Sequence, residues 1–188
     1  MKNRVLFFSS VKNKELFHTQ RFYHIDIELI KSLGYRVYES NRIADFLHFW
    51  KYDIAFIYFY RYGLFPAILS RLFFKKVYFT GGIDSLEQSA TTYKDYAFQK
   101  IFFKLCHFFS NNCILVSNSD EDNVRKIYHG KLPKRTSLSF HTIDVEKFIN
   151  TNLCEKENIF STIVWMGAIG NVFRKGVDKS IIIFKYLT

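Results

Sequence analysis

Near the C-terminal end of the chain, Gly167, Gly170, Arg174, Lys175 and Gly176 stand between an apolar run and a helical pattern. Residues of these types in this order could hold phosphate. Ile163 to Met166 is a short apolar run with β-branched and aromatic members, which suits a buried strand. Gly167 and Gly170 allow a sharp bend and close approach to a ligand. Val177, Ile181 and Phe184 then recur at +4 and +7, one face of a helix. The N-terminus of such a helix offers free N–H groups and a positive dipole end, and Arg174 and Lys175 add charge. The stretch is neither the dinucleotide fingerprint nor a G-K-[ST] phosphate loop. A solvated basic loop before an ordinary helix is the competing reading.

Other groups that could do chemistry stand at the ends of expected strands. Asp84 follows Gly81-Gly82 and could bind acceptor hydroxyls or act near a transfer site; a loop-stabilising Asp is the competing reading. Ser9 and Ser10 follow the first apolar run but lack the G-x-S-x-G elbow of a hydrolase. Ser117 and His141 end two further runs. No metal site is expected, because the histidines His18, His24, His48, His107, His129 and His141 show no ligand spacing. Cys106, Cys113 and Cys154 are odd in number and read as reduced thiols of a cytoplasmic protein.

The elements that would position these groups alternate along the chain. Strands are expected at Val5 to Ser9, Tyr35 to Tyr38, Asp53 to Tyr60, Val77 to Thr80, Cys113 to Val116 and Thr136 to Phe140. Ser10 to Phe17 reads as a loop. Helices are expected from Phe22 to Leu33, closed by Gly34; from about Pro66 to Phe74; from Tyr93 to Phe109; and after Ser117-Asn118-Ser119-Asp120. A short helix fits Ile43 to Trp50. Alternation of this kind implies an α/β fold, a doubly wound parallel sheet with helices on both faces. Ligands then bind at the carboxyl ends of the strands, where Ser9, Ser10, Gly81, Gly82, Ser117 and His141 fall. The polar stretch 149–160 reads as a linker, dividing a domain over 1–148 from the strand–loop–helix over 161–188.

Charge narrows the partners. The chain carries a net charge of +10, which favours acidic ones. No run reaches the length needed to cross a bilayer, and the N-terminal apolar run is too short for a signal peptide. On the Tyr93 to Phe109 helix, Phe98, Ile101, Phe102, Leu105 and Phe109 share one face and are expected in the core. Lys100, Phe103, Lys104 and His107 fall opposite, an aromatic among cations that would suit an anionic membrane surface. An ordinary solvated face with one stray aromatic is the alternative. Nucleic acid is disfavoured, because the basic residues are spread out and the aromatics sit in apolar runs.

Three segments carry a family resemblance. Ile114-Leu115-Val116-Ser117 with Asp120 and Val124 resembles the strand-to-helix turn of family-four (group 1) glycosyltransferases. Phe140-His141-Thr142-Ile143-Asp144-Val145-Glu146-Lys147-Phe148 resembles their "PNGvDtxxF" segment. Val164-Trp165-Met166-Gly167 with Arg174-Lys175-Gly176-Val177-Asp178 resembles the opening of their second domain. The resemblance implies the GT-B architecture of two Rossmann-like domains, with the acceptor held mainly by the first and the nucleotide-sugar by the second. It implies sugar transfer without a metal or other cofactor, the nucleotide-sugar being substrate. Lys175 falls on the lysine that binds donor phosphates and Gly167 on the glycine of the donor loop. Acceptors would be glycans or lipid-linked glycans in bacterial surface polysaccharide synthesis, with the enzyme cytoplasmic or peripheral on the inner face of the membrane.

The sequence also departs from that pattern. Ala168 stands where many relatives have arginine, a place Arg174 could fill, and Gly81 stands near a common histidine. His141-Thr142 replaces Asn-Gly. No two glutamates are eight positions apart, so the family's acidic pair is absent and Asp84 is the one acidic candidate. The second domain is expected to be incomplete, with the rest missing or supplied by a second chain. A Rossmann-like binding protein without catalysis is the alternative.

Overall fold

The computed structural model describes residues 3–83, 86, 93–140 and 182. The chain divides into two units, Met1–Ile143 and Asp144–Thr188, and the elements below belong to the first. Gly167, Arg174 and Lys175, together with Asp84 and His141, lie outside the described residues.

Six strands form one parallel sheet: β1 Arg4–Ser9, β2 Arg36–Ser40, β3 Ile54–Tyr58, β4 Lys76–Thr80, β5 Asn112–Leu115 and β6 Thr136–Leu138. Their spatial order is β2-β1-β3-β4-β5-β6. Between them run α1 Leu16–Thr19, α2 Arg21–Ser32, α3 Leu64–Leu72, α4 Tyr93–Phe109 and α5 Asn118–Ile127. The stretch Ile43 to Trp50, expected as one short helix, falls in two 3-10 turns, Ile43–Leu47 and Phe49–Lys51, and α1 begins within the expected loop at Ser10 to Phe17. This is the doubly wound, Rossmann-like α/β fold that the alternation implies.

The central strands β1 and β3 are apolar on both faces because both are covered. On one face Leu6, Phe8, Ala55, Ile57, Val77, Phe79, Cys113 and Leu115 share a core with Phe103, Cys106, Val124 and Ile127 of α4 and α5. On the other, Phe7 and Tyr58 meet Phe17, Tyr23 and Ile27 of α1 and α2. Successive residues of β1 thus point to opposite cores, as the pleat requires. Helix ends follow local chemistry. Gly34, at φ +86°, closes α2 with Gly34 N–H donating to the Lys31 carbonyl and Tyr35 N–H to that of Ile30. Ser117 caps α5, its Oγ accepting from the Asp120 N–H at 3.1 Å.

On α4, Phe102 and Phe109 pack against the core as expected, but the rest of the assignment is exchanged between faces. Phe103, Cys106 and His107 are buried, whereas Phe98, Ile101 and Leu105 are 62%, 63% and 42% exposed. Phe103 and His107 are therefore not part of a surface patch, and Lys100 and Lys104 are half-buried beside them. The helix is apolar on two sides, so its own periodicity does not choose between them. The neighbours choose: the Phe103 ring lies 4.8 Å from Tyr60, His107 lies 5.6 Å from Tyr128, and the Cys106 thiol donates to the Tyr60 carbonyl.

His107 carries a pH dependence. Burial holds its pKa below the ordinary 6.5, with the nearby Arg135 guanidinium acting in the same direction and the backbone hydrogen bond linking the two opposing it. The unfolded chain takes up the proton first. Stability is therefore fully present above about pH 6.5 and falls as the pH drops toward the folded-state pKa. Urea unfolding across this window should show the decline, and His107→Gln should flatten it; identical profiles would remove His107 as the cause.

Candidate functional site

Chain order in the sheet reverses between β1 and β3, and this switch point is where doubly wound sheets leave a crevice at the carboxyl ends of the strands. A cavity of about 260 Å³ lies at the ends of β1, β3 and β4, lined by Ser10, Phe59, Tyr60, Arg61, Tyr62, Gly82 and Ile83.

Its walls are built by an abrupt end to β3. The apolar run continues to Tyr60, but the strand stops at Tyr58 because Phe59 turns to φ 66° and ψ 125°, outside the regions open to most side chains. Such a residue costs on the order of 1–3 kcal/mol and persists only where its surroundings impose it. The Phe59 N–H donates to the Thr80 carbonyl at 2.9 Å, and the Phe59 ring packs against Tyr58 and Tyr23. A 3-10 turn, Tyr60–Tyr62, then carries Arg61 to the surface with its guanidinium 5.7 Å from the centre of the Tyr62 ring.

The β4 loop is shaped to fit that turn. Gly81 has φ +101°, and a Cβ there would lie 2.9 Å from the Phe59 ring, so both backbone and space require glycine. Ile83 N–H donates to Asp120 Oδ1 at 3.0 Å, and Asp120 is only 5% exposed. A buried carboxylate in the first turn of α5, favoured there by the helix dipole, thus ties down the loop that carries Gly82.

Among the residues expected at this edge, Ser10 and Gly82 line the cavity. Ser9 does not: it is buried, and its hydroxyl is hydrogen-bonded to that of Tyr23 at 2.7 Å. Tyr58 beside it donates to the Asp26 carboxylate, and burial followed by the Asp26 charge raises its pKa. Ser117 spends its hydroxyl on the α5 cap. The sequence reading missed Phe59, Arg61 and Tyr62. Their signal was Arg61 immediately after an apolar strand and two residues before Gly63, which marks a turn at a carboxyl edge.

Aromatic walls accept the face of a sugar ring, and an arginine presents several donors to hydroxyl or phosphate oxygens. Among the described residues no three His, Cys, Asp or Glu side chains gather to hold a metal ion.

Crystal structures of Anabaena Alr3699/HepE share this fold. The complex with UDP and glucose matches at 11% identity over 77% of this chain and 46% of that one, with a TM-score of 0.50. The complex with UDP-glucose matches at 12% identity over 76% and 45%, again at 0.50. The chain thus spans less than half the length of these proteins. No family model matches the sequence. No curated protein matches it either.

Proposed function

We propose that this chain belongs to a nucleotide-sugar-dependent glycosyltransferase, contributing the acceptor-side domain and the opening of the donor side. The observation that carries the reading is the cavity at the switch point, in a fold shared with a protein crystallised with UDP-glucose. The order of the three sequence segments that resemble the glycosyltransferases supports it independently.

Each group then has a role. Phe59 and Tyr62 offer apolar faces to a ring, and Arg61 offers donors to its hydroxyls or to a phosphate. The cavity is small beside sites that hold drug-sized ligands, which are roughly 300–1,000 Å³, and fits about one sugar residue. Gly167, Arg174 and Lys175 would meet the diphosphate. As the sugar–phosphate bond breaks, negative charge grows on the leaving diphosphate, and a fixed ammonium there lowers the barrier. The acceptor would be a glycan or lipid-linked glycan of a surface polysaccharide, handled in the cytoplasm. The remainder of the donor side would come from further sequence or a second chain.

Calorimetric titration with UDP-glucose tests this. The wild-type chain should bind, and Lys175→Ala should weaken binding about tenfold or more, the worth of a hydrogen bond to a charged group. Equal affinities, or no binding by the wild type, would overturn the donor-side assignment. A second reading, a Rossmann-like binding protein without turnover, is favoured by the departures at Ala168 and at His141-Thr142 from the residues usual in those glycosyltransferases. Transfer of radiolabelled sugar by this chain at an ordinary enzyme rate would exclude it; negligible transfer is expected.

A further inference from the structure

The outward side of α4 carries an apolar seam with the spacing of a coiled coil. Phe98, Ile101, Leu105 and Phe108 are 62%, 63%, 42% and 67% exposed, and they follow one another at +3, +4 and +3. That is the a/d alternation of a heptad, a narrow stripe suited to the side chains of a facing helix. Buried Phe103, Cys106 and His107 lie on the other side, so the seam points away from the molecule's own core. The neighbouring helix repeats the pattern. The helix α3 packs against α4 and joins the same core through Ala67, while Phe65 and Leu72, seven residues apart, are 58% and 65% exposed.

Area and charge both bear on what covers these stripes. The six side chains present on the order of 800 Å² of apolar surface, taking about 200 Å² for a whole aromatic residue. A lone soluble domain rarely exposes more than a few hundred Å² in one patch, and a stable protein interface takes about 800 Å² from each partner. The seam carries little charge to oppose a like surface. Lys100 and Lys104 are half-buried, the Lys104 ammonium standing 5.3 Å from the centre of the Tyr128 ring. Lys94, four residues before Phe98, is exposed and stands at the N-terminal end of the seam.

We infer that this face pairs with a second copy of the chain, α4 against α4 in antiparallel order about a two-fold axis. The spacing selects a helix as the occupant, and a two-fold axis makes one seam the complement of another. Setting Ile101 against the partner's Leu105 also sets Phe98 against the partner's Phe108, because both pairs share one centre along the helix. The layers then close together, aromatic on aromatic and aliphatic on aliphatic. Lys94 falls beyond Phe98, at the C-terminal end of the partner's α4, where the helix dipole is negative. Parallel pairing would instead set Lys94 against the partner's Lys94, and like charges disfavour it. The inference stands on the surface alone and does not depend on the glycosyltransferase reading.

Light scattering of the full chain across a dilution series decides it. The wild type should show twice the mass of one chain when concentrated and dissociate on dilution. Ile101→Lys and Leu105→Glu should each raise the dissociation constant about a hundredfold or more, because each buries a charge without a partner. Mixed in equal amounts, the two variants should recover a dimer, since the new lysine of one meets the new glutamate of the other across the axis. Both positions are exposed in the single chain, so at dilutions where the wild type is dissociated all three melting temperatures should match. A wild type that stays monomeric at every concentration, or a dimer that neither variant weakens, would overturn the inference. So would variants that remain monomeric when mixed, or a monomeric wild type that floats with phosphatidylglycerol vesicles, which would assign the seam to lipid.

Discussion

Phe103→Ala is expected to cost about 3–5 kcal/mol of stability, the range for deleting a buried aromatic ring. Phe103 is 2% exposed, and its ring lies between Tyr60 at 4.8 Å and His107 at 6.5 Å in the core shared by α4 and the sheet. Little can collapse into the space, because Tyr60 is itself held by stacking on Phe79 at 5.1 Å. Phe98→Ala, one turn and a residue earlier, removes a ring that is 62% exposed and should stay within about 1 kcal/mol. Urea unfolding of the two variants reads out the rotation of α4 directly. If Phe98→Ala proved the more costly, the helix would present the opposite face to the core.

Gly63→Ala is expected to destabilise by about 1–3 kcal/mol or more through overpacking. Backbone conformation is not the reason: Gly63 has φ −92°, open to any residue. Space is the reason. A Cβ there would fall 2.2 Å from Phe79 Cε1 and 2.9 Å from Ile57 Cγ2, and both side chains are fully buried. Phe79 would have to shift, and it carries on it the stacked ring of Tyr60, which lines the cavity. If the chain binds sugar as proposed, loss of that affinity should accompany the loss of stability. Thermal unfolding checks the first effect and a saccharide titration the second; an unchanged melting temperature would show that the β3–α3 junction is looser than its geometry indicates.

Much of the sheet was legible because burial on two faces leaves a mark in one dimension. The run from Ile54 to Tyr58 must be apolar throughout to sit between two cores, and the turn at Gly34 must be glycine to adopt its φ. Other features left no such mark. The apolar run at β3 continues two residues past the strand, because Phe59 and Tyr60 are as apolar as a strand needs while serving a turn. Ser9 looked like a free hydroxyl at a strand end until the pleat turned it inward onto Tyr23.

The sequence by itself determined the α/β alternation, the parallel sheet and the carboxyl edge as the place for a site, since hydrophobic period and turn residues are local properties of the chain. Tertiary structure alone decided which side of α4 is core, because a helix apolar on two faces is oriented by the rings it meets, here Tyr60 and Tyr128. It alone brought Phe59, Arg61 and Gly82 around one cavity, since that requires strands distant in sequence to end side by side.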